Sequence, residues 1–349
     1  FLLHTLQHYR IPVFNIVSKE FDITIATNDR ISKFSKFNPE FKIINIPTTK
    51  VGPFIIHNKS IWNLQNEFDV IVSLMNLRCL DILMFVLNPF RKTKIILWGI
   101  GVSGSYTKKF DQHNSFDFLK KFIFSKANAL IFYTDYAKKR FVNLGFSTSK
   151  LFVANNTVKT LNIELHSNRS DFLFVGSLYK GKGIELLLDS YIKLLKSKST
   201  KIGKLVIVGG GELTSYVEDF ISKNNLMSNI LFYGKIYDER KLAKIFQTSL
   251  VCISPKQAGL SLLKSMGYGV CFITSKNATT GGELLNIEHL NTGIVMNDVN
   301  ELGYYLKDIC DNQEKYKLLG QNSLDYYNKN RTIEIMAKGI IKSISYAVK

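Results

Sequence analysis

Two glycine-containing stretches of this 349-residue chain have the residue types of a phosphate-binding site. In residues 176–183, GSLYKGKG, the dipeptide Lys182-Gly183 precedes an amphipathic segment. In residues 254–261, SPKQAGLS, the dipeptide Gly259-Leu260 opens a segment with leucines at helical spacing. A helix that begins at such a glycine directs its first N–H groups and its positive dipole end at the space before it, which suits a phosphate. Lys182 would add a charged ligand, although a loop lysine is equally compatible with simple solvation.

The elements around Gly259 are predicted from the neighbouring residues. An apolar run ends at Ile253, Ser254-Pro255 interrupts it, and a helical pattern follows as far as Met266. Residues 270–274 then have the composition of another buried strand. We therefore expect a strand, a turn, a helix and a second strand, with the glycine of the turn facing a ligand.

The whole chain alternates strand patterns with helical patterns. In the first half, strands are predicted over residues 21–26, 41–46, 69–74, 94–98, 129–133 and 151–154. Helices are predicted there over residues 12–19, 79–87, 116–125 and 137–144. The alternation starts again at residue 172, after the polar segment 160–170. This order predicts an α/β fold with two doubly wound parallel sheets, in which ligands bind at the carboxyl ends of the strands.

The order of these motifs resembles that of a known enzyme family, the GT-B-fold glycosyltransferases, and within it family 4 (group 1). The residues that carry the resemblance are Lys182-Gly183, Ser254-Pro255, Gly259-Leu260, Met266 and Gly269. The resemblance implies two Rossmann-like domains that face a cleft. Its expected divisions are an acceptor-binding domain (1–160), a linker (161–170), a nucleotide-sugar-binding domain (171–325) and a C-terminal helix that packs back on the first domain (326–349).

The resemblance also implies an activity. The expected reaction transfers a sugar, with retention of anomeric configuration, from a nucleotide diphosphate sugar to a hydroxyl of a saccharide or lipid-linked saccharide in bacterial surface polysaccharide synthesis. The nucleotide sugar is a co-substrate, and no cofactor is expected. No metal is expected either, because the chain has no Asp-x-Asp cluster at a strand end and a lysine with a helix dipole can take the metal's place.

Site residues are carried over from the resemblance position by position, and no catalytic residue is assigned. The donor diphosphate set comprises Lys182, Gly259, Leu260, Lys256 and Ser177. The nucleotide or sugar set comprises Glu283, Lys235, Ile236 and Ser261. The acceptor-side set comprises Tyr9, Arg10, Gly99 and Gly101.

The chain departs from the family pattern in its donor region. Lys256 and Lys264 stand where the family usually has glutamates, and Ser177 stands where it usually has an arginine. Lysine cannot accept a hydrogen bond from a sugar hydroxyl, so the family's glutamate contacts are not transferable. Lys256 could instead face the diphosphate or be solvated. Glu283 could bind hydroxyls in place of the missing glutamates or cap the helix that follows it.

The acceptor side departs from the pattern as well. Related enzymes often read Trp-Gly-His-Gly where this chain has Trp98, Gly99, Ile100 and Gly101. The histidine is absent, so no general base is assigned at this loop, and its two glycines could also do no more than form a turn.

The net charge of +18 calls for an acidic partner. The sequence contains no nucleic-acid-binding motif, and a nucleic acid is not expected as a partner. A surface that is generally rich in lysine would explain part of the excess positive charge. Residues 117–126, with three phenylalanines among three lysines, and the nearby residues 89–92 are candidates for contact with an anionic membrane. The simpler alternative for 117–126 is a surface helix with a core-facing stripe.

The expected location is the cytoplasm, with peripheral contact at the inner face of the membrane. The four scattered cysteines are typical of buried thiols in a reducing compartment, and no apolar run is long enough to span a bilayer. Two other functions stay open at this point. One is a GT-B protein that binds a nucleotide or glycan without transfer, and the other is a basic module for membrane or nucleic acid.

Overall fold

The computed structural model describes residues 1–58, 61–102, 111, 117–197 and 201–349. The described residues form two compact units. The first unit contains the residues up to 156 and returns at 332–349, and the second contains residues 157–331.

The described strands and helices alternate along the chain. The strands are β1 (Leu2–Leu3), β2 (Thr24–Thr27), β3 (Lys42–Asn45), β4 (Thr48–Val51), β5 (Phe54–His57), β6 (Val70–Leu74), β7 (Lys94–Gly99), β8 (Ala129–Phe132), β9 (Leu151–Val153), β10 (Asp171–Val175), β11 (Leu205–Val208), β12 (Ile230–Phe232), β13 (Ser249–Ile253), β14 (Gln257–Ala258), β15 (Cys271–Ser275), β16 (Thr279–Thr280) and β17 (Ile294–Met296). The helices are α1 (Ile11–Val17), α2 (Ile61–Leu64), α3 (Leu80–Leu87), α4 (Asp117–Ser125), α5 (Asp135–Asn143), α6 (Ile184–Leu195), α7 (Thr214–Lys223), α8 (Glu239–Thr248), α9 (Leu260–Gly267), α10 (Leu302–Asp311), α11 (Gln313–Asn330) and α12 (Ile333–Val348).

The first unit contains a seven-stranded parallel sheet in the order β3-β2-β1-β6-β7-β8-β9. One face of this sheet is covered by a core that includes Phe85 of α3 and Phe124 of α4. The other face is covered by a core that includes Phe14 of α1 and Ile340 of α12. From β1 the chain first builds β2 and β3 on one side and later returns to place β6 on the other. The strand order therefore reverses beside β1, which is where open α/β sheets bind ligands.

The second unit contains a six-stranded parallel sheet in the order β12-β11-β10-β13-β15-β17. Its strands are almost wholly apolar, as in β11 and β13, because helices cover both faces of the sheet. The predicted α/β class with two doubly wound parallel sheets is confirmed.

Most predicted elements of the first half are present within a few residues of their expected bounds. Phe116, which the sequence placed at the start of a helix, lies outside the described residues. The antiparallel hairpin β4–β5 was not predicted, because its residues are largely exposed and lack a regular apolar alternation. It is held against α3 by His57, whose Nδ1 lies 2.7 Å from Oδ2 of Asp81.

The C-terminal helices divide between the two units at a later residue than the predicted boundary of 326. Helix α11 continues to Asn330, and the chain enters the first unit at Thr332. The end of α11 is held in the second unit by Tyr327, whose buried hydroxyl donates to the carbonyl of Val158 at 2.5 Å. Among the described helices, none combines the length and apolarity required to cross a membrane.

Two helical glycines of the second unit differ in the space around them. A Cβ added at Gly320 of α11 would lie 2.3 Å from the carbonyl oxygen of Gly269, whereas one added at Gly303 of α10 would meet nothing within 4 Å. We expect Gly320→Ala to lower the free energy of unfolding by about 1–3 kcal/mol, because the backbone must move to relieve the contact. Gly303→Ala, the matched control, should be neutral or raise it by up to about 1 kcal/mol. Urea unfolding measures both, and an equal effect of the two substitutions would contradict the packing described for α11.

Candidate functional site

The candidate site lies at the carboxyl edge of the second sheet, where the adjacent central strands β10 and β13 end. Strand β10 leads into residues 176–183, and β13 leads into residues 254–259. The two loops that the sequence analysis singled out therefore lie side by side. The amide N–H of Lys256 donates to the carbonyl of Lys182 across them, at 3.4 Å.

Lys182 is the most buried charged side chain of this edge, with 8% of its surface exposed. It precedes Gly183, whose positive φ of 77° turns the chain into α6. Its Nζ lies over Gly176, where an added Cβ would be only 2.9 Å away. Burial lowers the pKa of Lys182 to about 8, because the charged form loses solvation, and Cys252 beside it opposes the shift. An anion bound here would favour the charged form.

Three further lysines, Lys180, Lys235 and Lys256, lie exposed on the loops of this edge. The stem of Lys256 covers Gly183, with its Cγ 3.1 Å from an added Cβ, and the stem of Lys235 covers Gly210 in the same way. Within the described residues, none of these lysines or Lys182 forms an ion pair with a carboxylate. A group of like charges without counterions attracts a polyanion.

Three buried polar atoms near Gly259 have no hydrogen-bond partner in the part of the chain that the structure describes. They are Ser254 Oγ, Gln257 Oε1 and Ser261 Oγ. Buried polar atoms are normally bonded, so their lack of a partner favours a ligand or water at this position. A Cβ added at Gly259 would meet nothing within 4 Å, so the start of α9 opens on empty space. The first N–H groups of this helix are available to an anion there.

Glu283 lies just after β16, the short strand that pairs with β14 in the loop before Gly259. Strand β14 runs parallel to β16, and a 3-10 turn that begins at Glu283 follows. Its Oε2 accepts hydrogen bonds from the amide of Gly281 at 2.9 Å and from the hydroxyl of Thr280 at 3.3 Å. These contacts hold its own loop, and hydroxyl binding by Glu283 stays a prediction.

Lys264 is engaged by a carboxylate, unlike the other lysines of the site. Its Nζ lies 2.5 Å from Oε1 of Glu239, in the first turn of α8, and the hydroxyl of Tyr268 donates to the other carboxylate oxygen. A carboxylate therefore lies beside position 264, where the family usually has one, but a neighbouring helix carries it. Lys264 is accordingly not available as a diphosphate ligand.

The remaining donor-side residues are less closely placed. Ser177 is exposed on the loop that follows β10, and Ile236 is half-buried on the loop that follows β12. The structure brings together Lys182, Lys256 and the residues 259–261, whereas a direct role for Ser177 or Ile236 stays a prediction.

The acceptor-side residues lie at the carboxyl edge of the first sheet. Arg10 is half-buried, and its Nη2 donates to the hydroxyl of Tyr133 at 2.6 Å. Tyr9 lies beside it, with the guanidinium carbon 5.7 Å from its ring centroid. Gly99 ends β7, and Gly101 follows with φ of 78° where an added Cβ would strike the ring of Phe132. These two glycines therefore form a turn, and their role in acceptor binding stays a prediction.

Sequence reasoning missed several residues of both edges. Ser254 and Gln257 are polar residues without a motif of their own, and only their lack of a partner draws attention to them. Trp98 and Tyr133 each end an apolar run, which was a usable signal, since the ends of parallel strands meet at one edge.

Comparisons with known proteins agree with this geometry. Residues 160–325 match the family described as glycosyl transferases group 1. An uncharacterised glycosyltransferase of Methanocaldococcus jannaschii is 26% identical over 351 aligned residues, which cover 93% of this chain and 86% of that protein.

Solved structures with the same fold cover nearly the whole chain. HepE of Anabaena, in complex with UDP, aligns with a TM-score of 0.69 at 12% identity. The alignment covers 99% of this chain and 98% of the HepE chain. The lipopolysaccharide outer core galactosyltransferase WaaB, in its apo form, has a TM-score of 0.66 at 14% identity with the same coverage. The two neighbours confirm the GT-B fold. With the group 1 match over its second unit and a glycosyltransferase relative along most of its length, the chain is a glycosyltransferase of the GT-B fold.

Proposed function

We propose that this protein transfers a sugar from a nucleotide diphosphate sugar to a hydroxyl of a glycan or lipid-linked glycan in surface polysaccharide synthesis. The observation that carries the proposal is the buried Lys182, whose loop is hydrogen-bonded to the loop that leads into α9. That second loop contains Ser254 and Gln257, whose side-chain oxygens have no partner among the described residues. HepE was solved with UDP and with UDP-glucose, and WaaB acts in lipopolysaccharide synthesis by its name. These neighbours support the donor and acceptor classes.

The proposed chemistry is electrostatic. Cleavage of the bond between the sugar and the diphosphate leaves negative charge on the departing phosphate oxygen. In this proposal Lys182 and the first N–H groups of α9 stabilise that charge, and the exposed Lys256 adds a second cation. We infer that transfer needs no divalent metal, because these groups supply the positive charge. Retention of configuration is what the resemblance to family 4 implies.

A binding protein without transferase activity is the second candidate. It is favoured by Lys264, which stands where the family usually has a glutamate and which pairs with the neighbouring carboxylate of Glu239. Release of UDP from UDP-glucose in the presence of glycan acceptors distinguishes the two. Binding of UDP-glucose without any release, across a panel of donors, would favour the second candidate.

We also infer that the first unit contacts an anionic membrane through an apolar patch. The patch is defined by six exposed side chains of α3, α4 and the segment after α3, namely Met84, Leu87, Phe90, Phe118, Leu119 and Phe122. Phe90 and Phe118 are 87% and 82% exposed, and apolar surface of this extent usually marks an interaction site.

The sequence left two alternatives for α4, and the exposure of two of its phenylalanines supports the membrane alternative. Phe124 is buried in the core, but Phe118 and Phe122 face outward. Only part of the apolar pattern is therefore core-facing. Two of the three rings stand where they could enter a lipid interface.

Arg91 links the two parts of the patch. Its guanidinium donates to the carbonyl of Val86 in α3 at 2.8 Å and to that of Lys126, just past α4, at 2.7 Å. Lys92, Lys121 and Lys126 are exposed around the rings, and Nζ of Lys126 lies 5.6 Å from the ring centroid of Phe122. Apolar rings surrounded by lysines fit an anionic lipid surface.

The donor proposal is tested with Lys182→Met and UDP as the probe. We expect the dissociation constant, measured by calorimetry, to rise roughly 10- to 100-fold, because a hydrogen bond to a charged group contributes about 1.5–3 kcal/mol. Lys223→Met is the matched control, because it removes the same charge from the same unit at a side chain that is 77% exposed. Equal affinity in Lys182→Met and the wild type would contradict the assignment, and loss of binding in EDTA would contradict metal independence.

The same measurement has a pH dependence. The pKa of Lys182 is about 8 without ligand, and a bound diphosphate raises it, so binding favours the protonated amine. The affinity for UDP that depends on Lys182 should be fully present below about pH 8. It should fall by about tenfold per pH unit as the pH rises further. Lys182→Met should lack this decline, and a wild-type affinity that stays constant across the same range would be inconsistent with a Lys182 contact.

The membrane proposal is tested with the double variant Phe90→Ser and Phe118→Ser. We expect its partitioning onto phosphatidylglycerol vesicles to fall by at least about tenfold, since burial of one phenylalanine contributes about 1.5–3 kcal/mol. The control carries Met227→Ser and Leu318→Ser, two residues of the second unit that are 72% and 61% exposed. Binding of the wild type should also weaken with salt. Sedimentation that is unaffected by the first pair, or equally affected by both, would refute the patch.

A further inference from the structure

Arg10 occupies an unusual position for a charged side chain. It follows β1, the strand beside which the order of the first sheet reverses, and it ends the 3-10 turn that leads into α1. Its guanidinium carbon lies 4.5 Å from the ring centroid of Trp98 and 5.1 Å from that of Tyr133. Trp98 is the penultimate residue of β7 and Tyr133 directly follows β8, so two neighbouring strand ends supply rings to this one cation.

The aromatic contacts do not satisfy the hydrogen-bonding groups of this cluster. Nη2 of Arg10 donates to the hydroxyl of Tyr133, but Nε of Arg10 and Nε1 of Trp98 are buried without a partner among the described residues. Two buried donors without an acceptor in one cluster are costly, because each loses its bond to water on folding.

Among the residues that the structure describes, the charge of Arg10 also lacks a counterion. The ion pairs of the described residues do not include Arg10, whereas Arg140 of the same unit pairs with Asp111 at 2.9 Å. Stacking on tryptophan and tyrosine contributes only about 0.5–2 kcal/mol and accepts no hydrogen bond from the planar fork. Its side-chain partners are the hydroxyls of Tyr133 and Tyr9, neither of which is a carboxylate, and its Nε–H has no acceptor among the described residues.

We propose that Arg10 binds an oxyanion of the acceptor, so that the acceptor of this enzyme carries a carboxylate or a phosphate near the hydroxyl that receives the sugar. This inference rests on the proposed transferase function. Arginine suits the task because its fork matches both oxyanions in a bidentate geometry. Arg10 is half-buried, so a ligand reaches it from solvent, and its guanidinium lies over Trp98 and Tyr133 at the carboxyl edge of the first sheet, the edge at which open α/β sheets bind ligands.

The test reads the indole N–H signal of Trp98 by NMR, which reports on this cluster alone. The chain has two tryptophans, so Trp62→Phe assigns the signal. Glucuronate and glucose 1-phosphate are titrated, with and without saturating UDP, against glucose as the neutral control. We expect at least one charged probe to shift the signal at concentrations where glucose does not. A response to glucuronate alone indicates an acidic sugar in the acceptor, and a response to the phosphate alone indicates a phosphate-linked acceptor.

Variants of Arg10 make the assignment specific. Arg10→Gln should weaken the response at least tenfold, and Arg10→Lys, which keeps the charge and the stem, should restore only part of it. Arg10→Lys also serves if the glutamine variant does not fold. No shift with either charged probe, or an unchanged shift in both variants, would overturn the proposal. UDP binding is measured on the same samples, and its absence would contradict the donor site instead.

Discussion

The burial of the Lys182 ammonium against Gly176 is the contact on which the candidate site depends. A cation with 8% of its surface exposed and no carboxylate among the described residues is unfavourable by itself, which its lowered pKa reflects. The arrangement becomes favourable when an anion enters. The glycines that allow it and the neighbouring lysines lie on the same two loops as the start of α9, so the proposed diphosphate site would be organised before its ligand binds.

Both units have a cation and polar atoms without a partner among the described residues at the carboxyl edge of their sheets. In the second unit, lysines and polar atoms without a partner among the described residues follow the end of β13. In the first unit, Arg10 and Trp98 each have one such donor near the end of β7. Parallel strands explain the likeness, because their carboxyl ends collect loops and helix starts on one side of a sheet. The cations differ in kind. A lysine is a point charge suited to a diphosphate, whereas an arginine adds a planar, directional fork.

The sequence predicted the fold class and the two loops of the candidate site in the second unit, because both depend on local patterns. The Lys182-Gly183 and Gly259-Leu260 dipeptides are readable as turns before helices, and alternating apolar runs are readable as parallel strands. The burial of Lys182 was not readable, since it depends on where Gly176 and Cys252 lie in space. The pairing of Lys264 with Glu239 joins two helices, and the outward direction of Phe118 depends on what α4 packs against. Such properties arise only from tertiary structure.

The most direct test of the account is a crystal structure of the protein with UDP, grown in EDTA. The account predicts that the terminal phosphate lies within hydrogen-bond distance, about 3 Å, of Lys182 Nζ and of the first backbone N–H groups of α9. It further predicts that Ser254 Oγ or Ser261 Oγ gains a partner from the ligand or from an ordered water. A diphosphate bound away from Lys182, with these hydroxyls still unbonded, would contradict the central claim.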